Sequence, residues 1–384
     1  MTQVLIAGLS SRAAADSAVR AGFAVTTIDA FADLDLHPAV RGLSVPRDFG
    51  TSFSPEAAAR AASDLAVEAA VYGANFENHP DAVTTLAAGR PLWGNLPAVL
   101  RRVRDPRQLA DLFRRRGIQA PMLRPNDSNV PNVPNDSNDW LAKPLSSGGG
   151  RGVRRWVGGD IPRGCYLQQR IEGVPGSLVF VAAGGHSVPL AISRQLVGDP
   201  AFGADGFMYC GNILAAVGDA QFRQDEALVD VASGIARAVA EEFELVGVNG
   251  VDFIAADGIP YPIEVNPRWC ASMELVERAY GLPMFGLHAA ACTAGTLPVF
   301  DLTRARSEGN AVGKAIIFAR RNVAMGNTRE WLEDPTVRDV PHPGARIAEG
   351  HPICTVLAEG EDAAACYDAL VHRACRVYAV LDAW

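Results

Sequence analysis

Residues 248–268 read VNGVDFIAADGIPYPIEVNPR (Val248–Arg268), and the fold is decided here. Two short apolar runs flank Asp257-Gly258, a turn dipeptide, so the stretch predicts a β-hairpin. Asp252 falls on its first strand; Glu264 and Asn266 fall on the second. Glu264 and Asn266 are two apart and project from one face, and Asp252 lies across from them. Their neighbours Val251, Phe253, Ile263 and Val265 are apolar, which places three polar groups in a core-like sheet. A buried carboxylate needs a partner or a metal. Three oxygen ligands on one rigid face suit one or two Mg²⁺ ions, which take carboxylate oxygen together with phosphate. Arg268 adds a planar fork matched to phosphate or carboxylate. The competing reading is a plain hairpin whose acids face water.

A second constellation lies upstream. Lys143 ends a short strand, WLAKPL, before the run SSGGGRG (Ser146–Gly152). A glycine-rich backbone can close over phosphates and offer N–H donors, and a lysine at the strand end is placed to hold them. A Gly-rich run by itself is weak evidence, since many are ordinary surface loops. The lysine census adds weight. Of 35 basic residues only Lys143 and Lys314 are lysines. A compact ammonium and a planar guanidinium are not equivalent, so a lysine kept in an arginine-rich chain is a candidate for a specific contact.

Outward from these pieces, residues 1–104 read as a small doubly wound domain. VLIAGL (Val4–Leu9) is a continuous apolar run, as expected of a strand buried on both faces. Ser10 and Ser11 are candidate caps for the Ala-rich helix behind it. FAVTTIDA and AAVYGA give further strands, and the rhythm is βαβ. The first turn has Gly8 but no GxGxxG, so dinucleotide binding is not supported. DPRQLADLFRRRGIQA (105–120) predicts a helix ending at Gly117. The polar Arg124–Asp139 stretch predicts a surface loop. CYLQQRIEG and SLVFVAAGG predict strands, 226–243 an amphipathic helix, and the tail more helices (Glu274–Tyr280, Leu287–Gly295, Ala363–Val377). The division expected is 1–104, 105–190 with the glycine-rich loop, and 191–384 with the hairpin.

Bulk composition narrows the classes. Apolar residues make up 48% and charged residues 20%, with a net charge of −8. That surface does not attract nucleic acid or an anionic membrane, so any anion needs a local cationic site. No apolar stretch is long enough to span a bilayer. The seven cysteines form no CxxC pair, which points away from zinc and disulfides and towards buried thiols in a cytoplasmic protein.

The order lysine, Gly-rich loop, QQRIEG, then VNGVDF…PIEVNPR resembles the ATP-grasp superfamily, with a Rossmann-like pre-ATP-grasp domain in front. Within it the chain is similar to the carboligase and carboxylate–amine ligase group related to biotin carboxylase. GKAIIFA and HPGARIAEGHPICTVLAEG resemble that group's C-terminal part. The resemblance implies an α/β fold, α+β in its central part, that binds ATP with Mg²⁺ (or Mn²⁺). It implies that Lys143 contacts the α/β-phosphates and that Ser146, Ser147, Gly148, Gly149 and Gly150 cover the triphosphate. Gln169, Arg170 and Ile171 stand at the adenine hinge, with Gln169 and Ile171 offering backbone groups. Asp252, Glu264 and Asn266 bind metal, and Arg268 steadies the transferred phosphoryl group. Arg107 stands where many members carry a first phosphate lysine. The Val-Glu-His that follows the ligand motif in biotin carboxylases is absent; here the chain reads Trp269-Cys270-Ala271-Ser272-Met273-Glu274.

The activity so implied is ATP-dependent ligation of a small carboxylate to a small amine through an acyl phosphate. An amino acid of the glutamate type is the favoured partner, in making a one-carbon carrier cofactor of the methanofuran or tetrahydromethanopterin kind. A bicarbonate-using carboxylase and a non-catalytic ATP-binding module are the alternatives. Arg194 and Gln195, in AISRQL, are candidates to face the substrate, with Arg194 in a catalytic role. The loops Ser10–Arg12 and Tyr72–Asn78 are expected to set acceptor specificity. His288 reads as a packed core histidine. Glu274 and Glu277 are open between an amine contact and a solvated face, and Lys314 between an anion contact and a structural ion pair. A homodimer is expected by analogy with related folds.

Overall fold

The structure is a computed structural model, and it describes residues 1–124, 139–216, 221–222, 225–307 and 309–384. Most of the expected polar loop therefore lies outside the described residues. Four parallel strands, β1 (Gln3–Ala7), β2 (Ala24–Asp29), β3 (Val40–Ser44) and β4 (Ala69–Tyr72), form the N-terminal sheet in the order β3-β2-β1-β4. The order reverses between β1 and β4, so a crevice opens beyond their carboxyl ends. Helix α1 (Arg12–Arg20) starts at that crevice. Ser11 does not cap it through its side chain. Its hydroxyl is spent on the buried Asp29, which also accepts from the Ser11 N–H at 3.0 Å.

A second, four-stranded sheet runs in the order Leu123–Arg124, Cys165–Gln169, Trp140–Pro144, Arg154–Trp156. The third is eight-stranded and antiparallel. It begins with the hairpin strands Ile259–Asn266 and Gly247–Ala256, passes through Val174–Ala183 and His186–Val197, and continues through Tyr209–Leu214, Ala311–Phe318 and Pro352–Gly360 to Val337–Arg338. The expected division at 190/191 falls inside the strand His186–Val197. The change of sheet comes after Gln169, because Val174–Ala183 pairs with the hairpin and not with Cys165–Gln169.

Strand Val174–Ala183 shows why this sheet holds. Leu178, Phe180 and Ala182 pack with helix Asp225–Phe243, while Val179, Val181 and Ala183 pack with helices Met273–Tyr280 and Met284–Ala294. Both faces are covered, so the strand reads as an unbroken apolar run. Fully buried side chains such as Phe180 and Phe253 each contribute about 1.5–3 kcal/mol of transfer free energy. The predicted helix at 105–120 is shorter, Pro106–Arg115, and Gly117 takes the positive φ of 65° that turns the chain out of it. The C-terminal helix runs five residues past its expected end, from Ala363 to Asp382, and packs on the strands Ala311–Phe318 and Pro352–Gly360.

Candidate functional site

One cleft of about 1770 Å³ collects residues from all three sheets. The hairpin supplies its floor. Asp252 pairs directly with Glu264 and Gly250 with Asn266, so the three predicted ligands share one face. Val251, Phe253 and Val265 alternate away into the core under helix Asp225–Phe243. Asp252 accepts from Asn266 Nδ2 at 2.8 Å and from Gln195 Nε2 at 2.9 Å. Burial, and then the charge of Glu264, push the Asp252 carboxyl up to about 6. Burial acts the same way on Glu264, but the nearby Arg104 and Lys143 outweigh it and hold that carboxyl below its usual range.

The cations gather around this face. Arg104 Nη1 donates to Glu264 Oε1 at 2.5 Å and to Val265 O at 3.0 Å, and Nη2 reaches Ser147 O in the glycine-rich loop at 3.3 Å. Lys143 is buried and donates to two neutral oxygens, Gln168 Oε1 at 3.0 Å and Ile263 O at 3.4 Å. Neither carries a charge, so the ammonium is shared between the nearby Glu264, which it helps to hold low, and any anion entering the cleft. Arg268 donates to Asn266 Oδ1 at 3.0 Å and makes a fork to Glu77 Oε1 at 2.7 and 2.9 Å. Nearby carboxylates, Glu77 first, raise the Arg268 guanidinium against the opposing effect of burial, so it stays charged.

Ser146–Arg151 line the cleft together with Gln169, Arg170 and Ile171. The loop is seated by the backbone: Gly149 O accepts from Tyr209 N at 3.0 Å. Gly150 has φ of 76°, and a Cβ there would lie 1.8 Å from Phe207 O, so no other residue fits.

Two predicted residues lie elsewhere. Arg107 is exposed on the first turn of its helix and is not among the residues lining this cleft; Arg104, which caps the end of the preceding helix Pro97–Val103, enters in its place. Arg194 points to the opposite face of its strand from Gln195, with its guanidinium 6.0 Å from the centroid of the Tyr367 ring, while Gln195 lines the cleft. The pairing period of two makes these neighbours exclusive. His288 is the core histidine expected. Nδ1 accepts from Val248 N at 3.1 Å, Nε2 faces Trp93 O at 3.2 Å, and burial pushes the ring down to about 4, so it is neutral.

The sequence did not single out Arg104 or the role of Glu77. Glu77 sits within the loop expected to shape acceptor specificity. It is 1% exposed, lines the cleft, and has one oxygen, Oε2, without a hydrogen-bond partner. An orphaned buried carboxylate oxygen is costly, which marks it as a place for a ligand donor.

The hairpin face fits a hard divalent cation. The two carboxylates are adjacent and half-buried, the charge of Glu264 opposes ionisation of Asp252, and a cation removes that conflict. Among the described residues no group of three or more His, Cys, Asp or Glu side chains forms a metal cage. Asp252, Glu264 and Asn266 are the residues that would hold a Mg²⁺, an ion that ordinarily completes its shell with phosphate and water.

Known proteins share this fold. Residues 103–272 match the profile of a family described as ATP-grasp domain. An uncharacterized protein of Methanocaldococcus jannaschii is 28% identical over 121 residues, which is 32% of this chain and 28% of that protein's length. An L-amino acid ligase from Bacillus licheniformis superposes with a TM-score of 0.66 at 16% identity, over 98% of this chain and 97% of that one. The biotin carboxylase domain of the Hydrogenobacter thermophilus 2-oxoglutarate carboxylase, solved with MgADP, ADP and bicarbonate, superposes with a TM-score of 0.67 at 13% identity, over 94% and 86% of the two chains. No described helix is long and apolar enough to cross a membrane.

Proposed function

The chain has the ATP-grasp fold, its residues 103–272 matching an ATP-grasp domain, and from that premise we propose that it is an ATP-dependent carboxylate–amine ligase. The observation that carries the proposal is one cleft holding the glycine-rich loop, Lys143, the carboxylate pair of the hairpin, Arg268, and a carboxylate oxygen on Glu77 without a hydrogen-bond partner. In the reaction, a substrate carboxylate oxygen attacks the γ-phosphorus. The bond from that phosphorus to the β–γ bridging oxygen breaks and ADP leaves. The amine nitrogen of the second substrate then attacks the acyl carbon, the carbon–oxygen bond to phosphate breaks, and the amine gives up a proton. Lys143 and the loop N–H groups orient the triphosphate; Arg268 neutralises charge on the group in transfer. Glu77 Oε2 is the group placed to receive the amine proton. A bound Mg²⁺ supplies further neutralisation of the phosphates. The protein's contribution is therefore positioning and electrostatics, without a covalent nucleophile.

The favoured substrate is an amino acid of the glutamate type, in assembly of a one-carbon carrier cofactor, a reading supported by sequence resemblance. The bicarbonate alternative has support of its own, from the bicarbonate-bound neighbour. A cytoplasmic location and a homodimer complete the proposal. The test is ADP and phosphate release over a matrix of acids and amines with Mg²⁺. Release that needs both partners supports ligation. Release with bicarbonate and no amine assigns the carboxylase, and tight ATP binding with no release under any pair removes the enzymatic reading.

A further inference from the structure

Arg104 ties the glycine-rich loop to the hairpin. It follows helix Pro97–Val103, its side chain is 13% exposed, and it lines the cleft. On the hairpin, Nη1 donates to Glu264 Oε1 and Val265 O. Nη2 donates to Asn78 Oδ1 at 2.9 Å and to Ser147 O at 3.3 Å, and Nε donates to Asn78 Oδ1 at 3.2 Å. All five N–H donors of the guanidinium are thus engaged. Asn78 closes the circuit, its Nδ2 donating to the same Ser147 O at 3.2 Å. Asn78 adjoins Glu77, the residue that holds Arg268 in its fork, so consecutive residues of one loop set both arginines.

These partners differ in kind. Val265 O, Asn78 Oδ1 and Ser147 O are neutral, whereas Glu264 is a carboxylate, and a bond between two ionised groups is the strong one of the set. It is also the contested one, because Glu264 is among the residues that would hold a divalent cation. A guanidinium and a cation of double charge repel one another at a shared carboxylate. The guanidinium is a rigid plane, so drawing Nη1 off Glu264 carries Nη2 off Ser147. That contact matters to the loop because packing does little there: a Cβ at Gly148 or Gly149 would meet nothing within 4 Å. The other side of the loop is held independently, with Gly149 O accepting from Tyr209 N and Gly150 seated against Phe207. Losing Arg104 therefore frees the Ser146–Gly148 side and leaves the Gly149–Gly150 side in place.

We propose that Arg104 is a positioning residue that competes with a divalent cation for Glu264 and, while it holds that carboxylate, latches the Ser146–Gly148 side of the loop over the cleft. The proposal rests on the hairpin reading in one respect, that its polar face is where the cation binds. Cation binding and loop release are then one linked equilibrium. Linkage is reciprocal, so whatever removes the latch strengthens cation binding by the same factor. The loop opens on the side of the hairpin, where a triphosphate accompanying the cation enters.

The test uses the full chain without nucleotide and Mn²⁺ as the probe. Binding is read from the paramagnetic resonance of free Mn²⁺. The loop is read by brief trypsin digestion in calcium-free buffer, with cleavage after the exposed Arg151 quantified by mass spectrometry. In the unaltered protein, saturating Mn²⁺ is expected to raise that cleavage severalfold. Arg104→Gln is expected to bind Mn²⁺ about tenfold more tightly and to be cleaved at the raised rate with or without the ion. Arg104→Lys keeps a charge for Glu264 but lacks the fork that reaches Ser147. It is expected to hold Mn²⁺ affinity within about twofold while cleavage is already fast without the ion. A merely structural arginine would leave Mn²⁺ affinity unchanged or weaken it on removal. Cleavage after Arg151 that ignores saturating Mn²⁺ overturns the proposal without any variant. So do an Arg104→Gln protein that binds Mn²⁺ no more tightly, Mn²⁺ binding that survives Glu264→Gln, and absence of Mn²⁺ binding in every form. Because no turnover is read, failure here is distinct from failure of the ligase reading, which the release assay decides.

Discussion

Asp252 and Glu264 face one another across the hairpin, yet their removal should move stability in opposite directions in metal-free protein. Glu264 is paired with Arg104, with side chains 27% and 13% exposed. Breaking a buried pair by removing one partner costs about 3–5 kcal/mol, and partial exposure lowers that to about 2 kcal/mol for Glu264→Gln. Asp252 is different because it is ionised against its surroundings. Its carboxyl titrates at about 6 instead of 3.8. Holding it charged at neutral pH therefore costs about 3 kcal/mol. Asp252→Asn relieves that, but the donors from Gln195 and Asn266 then share one acceptor, a loss of about 1–2 kcal/mol. The expected net is a stabilisation of about 1 kcal/mol. The sign carries into pH. A group whose folded value is raised contributes stability below its unfolded value and loses it as pH climbs through the folded value. From pH 5 to 7.5 the unaltered protein should lose about 1.4 kcal/mol through Asp252, a loss absent in Asp252→Asn. Glu264, held low, is ionised across that window and adds no slope. Urea denaturation in chelator reads both effects, and excess Mg²⁺ should abolish the pH slope. A stable Glu264→Gln, or an Asp252→Asn as weak as Glu264→Gln, would refute the assignment of opposed electrostatics at this face.

Three further outcomes are expected. Gly150→Ala must displace Phe207 and leave its left-handed backbone, so the KM for ATP should rise severalfold in steady-state assays and Tm should fall, by the about 1 kcal/mol or more that such strain costs. Glu274→Ala strands Lys314 and takes one of four carboxylates from Arg12, and chemical denaturation should show a loss of about 3–5 kcal/mol. Arg194→Met should leave kcat and the KM for ATP within about twofold, since its guanidinium lies over Tyr367 and outside the cleft; a large fall in kcat would return it to the catalytic set.

Legibility in the sequence followed distance along the chain. The hairpin was readable because its ligands sit two apart or across one turn, a separation that strand geometry fixes. His288 was readable because an apolar helix leaves a histidine little else to do. Arg107 illustrates the limit. Arg104 closes helix Pro97–Val103 and Arg107 opens helix Pro106–Arg115, and no local pattern states which of the two arginines meets the hairpin. That is decided by how helix Pro97–Val103 packs near Asp225–Phe243, a tertiary fact. Arg194 and Gln195 show the same limit on a strand: the period of two is legible, but which phase faces the cleft depends on pairing with Tyr209–Leu214. The 190/191 boundary falls inside one strand for a related reason, since nothing local in an apolar run says where a strand ends or which sheet it joins.

The two lysines draw these parts together. Each sits at one end of the same cleft, and each contacts a glutamine or glutamate through a single ammonium. Their partners set their roles apart. Lys143 meets the neutral Gln168 and so keeps a charge to offer a polyanion. Lys314 meets Glu274, which Arg12 also holds in a fork at 2.7 and 3.2 Å, so its charge is consumed inside the protein. An arginine at position 314 would add a second planar fork to a carboxylate whose two oxygens are already taken by the first. A compact point charge is what fits the remaining space, which is a physical reason for lysine there. The same residue type thus faces the cleft beside neutral oxygens at one end and is held in an ion pair of the scaffold at the other. What distinguishes them is the charge of one neighbouring side chain, glutamine against glutamate, and not the lysine itself.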